Sequence, residues 1–164
     1  THGGSLRVYA QRSELGKHKT SAAVISLQEK ENKLGMNDIN FYHGFQNKIE
    51  QVKIDFLSFL LEAKRHGKQV VGYGAAAKGN TMMNFGGIRQ DLISYVVDKN
   101  PAKKGKYMPG SRVPIVDIDH LLLTKPDYVV IFPWNLKDEV MQQLEFIQDW
   151  GGKFIISIPK LKII

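Results

Sequence analysis

From Lys68 onward the chain alternates short apolar runs with helix-patterned segments, and this alternation restricts the fold more than any other feature. Val70 to Tyr73, Ile93 to Val97, Val113 to Val116, Tyr128 to Phe132 and Phe154 to Ile158 read as five strands. Asn80 to Phe85, a small helix from Asp117 or Asp119 through Leu123, and Lys137 to Trp150 read as the helices between them. Strands separated by helices are joined by crossovers, which make neighbours parallel and cover both faces of the sheet. The pattern predicts an α/β fold: a Rossmann-like three-layer domain with a mainly parallel five-stranded sheet in the order 3-2-1-4-5.

The upstream part reads differently. Leu6 to Ala10 has the alternation of a short strand, and the polar stretch Gln11 to Lys19 reads as a linker. Thr20 or Ser21 is placed to cap a helix through Lys33, with Gly35 as its stop. Asn37 is placed to cap one long helix, Asp38 to Arg65, ended by Gly67. Tyr42, Phe45, Ile49, Val52, Phe56, Phe59 and Leu60 recur at three- and four-residue steps, so they form an apolar stripe that packs on one face of the sheet. The organisation expected is residues 1–19 as the tail of a preceding domain plus linker, then residues 20–164 as the Rossmann-like domain.

Composition sets outer bounds. A chain of 164 residues with 43% hydrophobic and 24% charged residues is that of a globular domain with a sizeable core. No apolar run approaches the ~18–20 residues that span a bilayer, and no signal peptide opens the chain. Cysteine is absent, which removes disulfides and thiolate-zinc sites and fits a cytoplasmic location. The formal charge of +7 points to anionic partners such as phosphates or nucleotides, with nucleic acid the less favoured partner and a membrane not expected. A chain opening on Thr1 instead of Met reads as a piece of a longer polypeptide.

The candidate site is the turn Gly72-Tyr73-Gly74-Ala75-Ala76-Ala77-Lys78-Gly79-Asn80-Thr81. In an open parallel sheet, ligands collect beyond the carboxyl ends of the strands where the order reverses, which is here. Gly72 and Gly74 let backbone approach a ligand, and Ala75, Ala76 and Ala77 keep the wall small. That helix offers free N–H groups and its positive dipole end to an anion. Lys78 adds a charge, while Asn80 and Thr81 add polar side chains. Gly72-x-Gly74-x-x-Ala77 fits a relaxed dinucleotide pattern, whereas Gly74-x-x-x-x-Gly79-Asn80-Thr81 fails as a Walker loop for want of the lysine. The competing reading is a glycine turn needed only for close strand–helix packing.

Two further positions lie on the same rim. Asp98 ends the second strand, 24 residues beyond Gly74, where an acidic residue often binds a ribose hydroxyl. It could equally cap the turn at Asn100-Pro101. The loop with Lys99, Lys103, Lys104, Lys106 and Arg112 could pair with a pyrophosphate or stand solvated. Trp134 and Asn135 follow the fourth strand. Trp134 could stack on a base or pack half-buried, and Asn135 could hydrogen-bond or cap the next helix. The five histidines show no metal spacing, and no catalytic dyad is visible, so no catalytic or metal residue is assigned.

Taken in order, His2-Gly3-Gly4-Ser5-Leu6-Arg7-Val8-Tyr9, the glycine turn, Val97-Asp98-Lys99-Asn100-Pro101, Val113-Pro114-Ile115 and Pro133-Trp134-Asn135 resemble one family. It is the C-terminal domain of S-adenosylmethionine-dependent sugar C-methyltransferases, which act on nucleotide-linked deoxysugars. The resemblance implies an upstream zinc-binding region and a middle domain holding the methyl donor and the base, with no cofactor expected in this segment. Residues His2 to Ala10 resemble the last strand of that middle domain, and His2 could border its active site. The substrate-binding candidates become Gly74, Ala75, Ala76, Ala77, Lys78, Gly79, Asn80, Thr81, Asp98, Trp134 and Asn135, taking the nucleotide-sugar. Two alternatives remain open: a nicotinamide-dinucleotide-binding oxidoreductase-like module, and a ligand-free Rossmann-like interaction domain.

Overall fold

The computed structural model describes residues 5–164. The chain divides into two compact units, Thr1–Ile49 and Glu50–Ile164.

In the first unit, α1 spans Ala22–Lys33 from an N-cap at Ser21, as the sequence predicts. The long helix expected after Asn37 is broken. A single turn, α2 (Ile39–Tyr42), is capped by Asp38, whose side chain accepts the Asn40 N–H at 2.8 Å. Gly44 at φ 79 follows, and α3 (Phe45–Arg65) starts afresh. A glycine in the left-handed region cannot continue a right-handed helix, and that backbone reversal outweighs the continuous side-chain periodicity. The expected strand at Leu6–Ala10 does not form either. Among the described residues no segment pairs with it, and an extended stretch without a ladder leaves its backbone groups to water. His2 and its neighbours through Gly4 lie outside the described residues.

The second unit carries the sheet. In chain order its elements are β1 (Val70–Tyr73), α4 (Ala77–Gly86), β2 (Val96–Val97), β3 (Ile115–Val116), α5 (His120–Thr124), β4 (Tyr128–Ile131), α6 (Lys137–Gln143), β5 (Lys153–Ile156) and β6 (Lys162–Ile163). The sheet order is β3-β2-β1-β4-β5-β6, and all pairs are parallel except β5 with β6. The fold is Rossmann-like, and the order of its first five strands is the one the sequence predicts. The sixth strand is added. Its two exposed residues are too few to leave a periodic signal.

Alternate strand residues face opposite layers. Val70, Val96, Val130 and Ile155 pack with Phe56, Leu60 and Ala63 of α3 and Met82 and Met83 of α4. Val71, Tyr73, Val97, Val129, Ile131, Phe154 and Ile156 pack with Leu121 of α5, Val140 of α6, and Leu144 and Ile147 beyond it. Each such side chain contributes about 1.5–3 kcal/mol when fully buried, so the two layers fix the sheet between them. The helix predicted over Lys137–Trp150 changes character part-way: Glu145–Trp150 is 3-10 helix, closed by Gly151 at φ 80. At the lower rim Asp127 accepts Lys68 Nζ and the Gln69 N–H, each at 2.8 Å, aligning the starts of β1 and β4. Burial raises the Asp127 pKa, but those two hydrogen bonds and the Lys68 charge together bring it below its ordinary value. Among the described residues, no helix is long and apolar enough to cross a membrane.

Candidate functional site

Strand order reverses at β1, which lies between β2 on one side and β4 on the other. The turn leaving β1 therefore sits at the switch point, where an open α/β sheet leaves a crevice.

The glycines of this turn serve packing. A side chain on Gly72 would come within 2.5 Å of the Phe132 ring, and one on Gly79 within 2.9 Å of the same ring. At Gly74, with φ 96, it would meet Pro133 Cδ at 2.7 Å. The residues leaving β4 thus occupy the space that these three glycines vacate. Sequence reasoning missed Phe132 as the common neighbour of Gly72 and Gly79. The available signal was the recurrence of glycine at 72 and 79, flanking one wall of the strand–helix corner.

Asp98 stands beside the turn and is 11% exposed. One carboxylate oxygen accepts the Ala75 N–H at 2.8 Å and Lys103 Nζ at 2.9 Å. The other accepts the Asn100 N–H at 2.9 Å, the capping role foreseen as its alternative. The Gly74 N–H goes to Val97 O and the Ala76 N–H to Gly74 O, both at 2.9 Å. Three backbone donors of the turn are accordingly taken by the protein. In the basic loop Lys104 pairs with Asp117, while Lys99, Lys106 and Arg112 are exposed.

The start of α4 is different. The helix begins at Ala77, three residues before its predicted start. Its N-cap is Ala76, no side chain caps it, and its first turn holds no acidic residue. The N–H groups of Ala77, Lys78 and Gly79 have no acceptor inside the helix. Ala76, Ala77 and Thr81 are exposed, so the corner is open on that side. Asn80 Oδ1 accepts Asn84 Nδ2 at 3.1 Å rather than turning toward the helix start.

Lys78 is half-buried here, with its Nζ 4.6 Å from the centre of the Trp134 ring and donating to Asn135 Oδ1. Among the described residues its contacts are these two, neither of them a carboxylate. Trp134 and Asn135 belong to a 3-10 turn, Trp134–Leu136, and Trp134 rests partly on the core beneath. Asn135 does not cap α6, whose N-cap position is Leu136, because its carbonyl is turned to Lys78. The Asn135 Nδ2 is buried with no partner. The corner therefore brings together Lys78, Trp134, Asn135 and the uncapped helix start, while Asp98 holds the turn behind them. Nearby, Tyr73 donates to Gln143 Oε1 at 3.1 Å, and burial, Asp98 and Glu139 push its phenol above the ordinary value.

Residues 1–159 match the family model described as C-methyltransferase C-terminal domain. The chain belongs to that family. It is also similar to C-methyltransferase NovU of Streptomyces niveus, at 31% identity over 164 residues, covering 99% of this chain and 39% of the relative. The chain thus spans well under half the length of that relative. Within this C-methyltransferase C-terminal domain, the glycines of the β1 corner are packed against residues that leave β4. Phe132 and Pro133 fill the space beside the glycines, and Asp98, the acidic residue for a ribose, is engaged by three protein donors.

Proposed function

We propose that this domain holds the anionic end of a nucleotide-linked sugar while a preceding part of the same polypeptide methylates a sugar carbon. Residues 1–19 are then the end of that part and a linker, and residues 20–164 the substrate-binding domain. The observation that carries the reading is Lys78: a half-buried side chain whose ammonium meets, among the described residues, a neutral amide and an aromatic ring, beside an uncapped helix start. Its charge adds to the positive end of α4, and a phosphate placed there would gain both the ammonium and the free N–H groups of Ala77, Lys78 and Gly79. Gly74, Ala75, Ala76 and Asp98 shape the turn that sets this helix start in place. Asn80 and Thr81 line its next turn. Trp134 and Asn135 hold Lys78 on its other side.

The chemistry supports such a split. S-adenosylmethionine supplies an electrophilic methyl group, and C-methylation beside a keto group also needs a base and a stabilised enolate. A domain that grips the remote phosphate contributes binding energy that positions the reacting carbon. On this reading the 164-residue chain binds nucleotide but transfers no methyl group. Calorimetric titration with thymidine diphosphate, S-adenosylmethionine and NADH in parallel tests it. Preference for thymidine diphosphate is expected; equal or stronger binding of S-adenosylmethionine, or methyl transfer by this chain alone, contradicts it.

A further inference from the structure

The first unit has a surface its own packing leaves uncovered. Among its described residues none is buried, and the twelve-residue helix α1 contributes no buried residue at all. Ile25, Leu34, Ile39, Phe41, Tyr42 and Phe45 are between 45% and 68% exposed. Helices of this length are marginal in water, and most helical stability in proteins comes from covering an apolar face. Ile25 lies on α1, Leu34 is its C-cap, Ile39, Phe41 and Tyr42 lie on α2 and Phe45 opens α3, a run of exposed apolar residues of the kind that a partner covers.

We infer that these residues dock against the part of the longer polypeptide that precedes this domain. The inference shares with the proposed function the existence of that part, and goes beyond it in assigning the surface that meets it. Two observations choose this occupant over a second copy of the chain. The family is defined as a C-terminal domain, and the matched relative is more than twice as long as the match. The apolar residues also lie within the first 45 positions, next to where the preceding part would join. A tethered partner at such short range has an effective concentration of about millimolar, far above that of a free second copy.

Hydrogen exchange on the 164-residue chain and on the full polypeptide tests this. In the isolated chain, amides of 22–42 are expected to exchange rapidly at every protein concentration, while β1, β4 and β5 are protected. In the full polypeptide the same amides should slow by about tenfold or more. Phe41→Ser with Phe45→Ser, both at exposed positions, should restore the fast rates there and leave thymidine diphosphate affinity unchanged. Equal rates in the two proteins, or protection of 22–42 in the isolated chain that grows with its concentration, would overturn the inference. Slowed exchange without any nucleotide binding would uphold the docking and sink the binding role separately.

Discussion

The Asp98 carboxylate accepts the Ala75 N–H at 2.8 Å, so the end of β2 holds the turn that leaves β1. It also takes Lys103 and the Asn100 N–H while only 11% exposed, which makes it a framework group. Replacing it by alanine strands two backbone donors and a lysine near the sheet edge. Asp98→Ala is expected to cost about 1–3 kcal/mol of stability, read from the urea midpoint at constant slope. An unchanged midpoint would mean that the carboxylate serves a ligand alone.

Glycine at 72 and 74 makes a second prediction. At Gly74 both the left-handed φ and the 2.7 Å approach to Pro133 oppose a side chain, so Gly74→Ala should destabilise by about 1–3 kcal/mol. Gly72→Ala is different, since side chains alone stand in the way, the Phe132 ring at 2.5 Å ahead of Val96 Cγ2 at 3.1 Å. Its cost should shrink in a Phe132→Leu background, a coupling that a double-mutant cycle measures. Additive costs would show that Phe132 is not the reason glycine is needed there.

The sheet was legible in the sequence because Val70–Tyr73, Tyr128–Ile131 and Lys153–Ile156 are short apolar runs separated by helices, and topology rules leave few ways to order them. What periodicity could not show was backbone direction. Tyr42, Phe45 and Ile49 keep helical spacing across Gly44, yet one positive φ divides the helix. At the site, the glycine pattern located the switch point but not its use. Which side of Gly72 and Gly74 would be filled depended on Phe132 and Pro133, some sixty residues away and just beyond another strand. The Lys78–Asn135 contact is likewise a tertiary fact, with no trace in local spacing.

Buried phenols make stability depend on pH on the alkaline side. Burial pushes Tyr73 and Tyr95 above the ordinary phenol value, with Asp98 and Glu139 adding to it at Tyr73 and the Thr124 hydrogen bond partly offsetting it at Tyr95. The folded chain therefore holds these two protons more tightly than the unfolded one. Their stabilisation is complete below the unfolded phenol value of about 10 and is lost as pH rises through the higher folded values. Urea midpoints should fall across that range, and less steeply in Tyr73→Phe with Tyr95→Phe. An equal slope in the double variant would assign the alkaline limb to other groups.

On the proposed function, α4 opens onto an anion with Lys78 beside it. Amide NMR of the 164-residue chain during titration with thymidine diphosphate tests it most directly. The Ala77, Lys78 and Gly79 amides should shift together with the Trp134 indole, and Lys78→Ala should weaken the affinity by about tenfold, the loss of one charge-assisted contact. Shifts confined to other residues, or an affinity indifferent to Lys78→Ala, would contradict it.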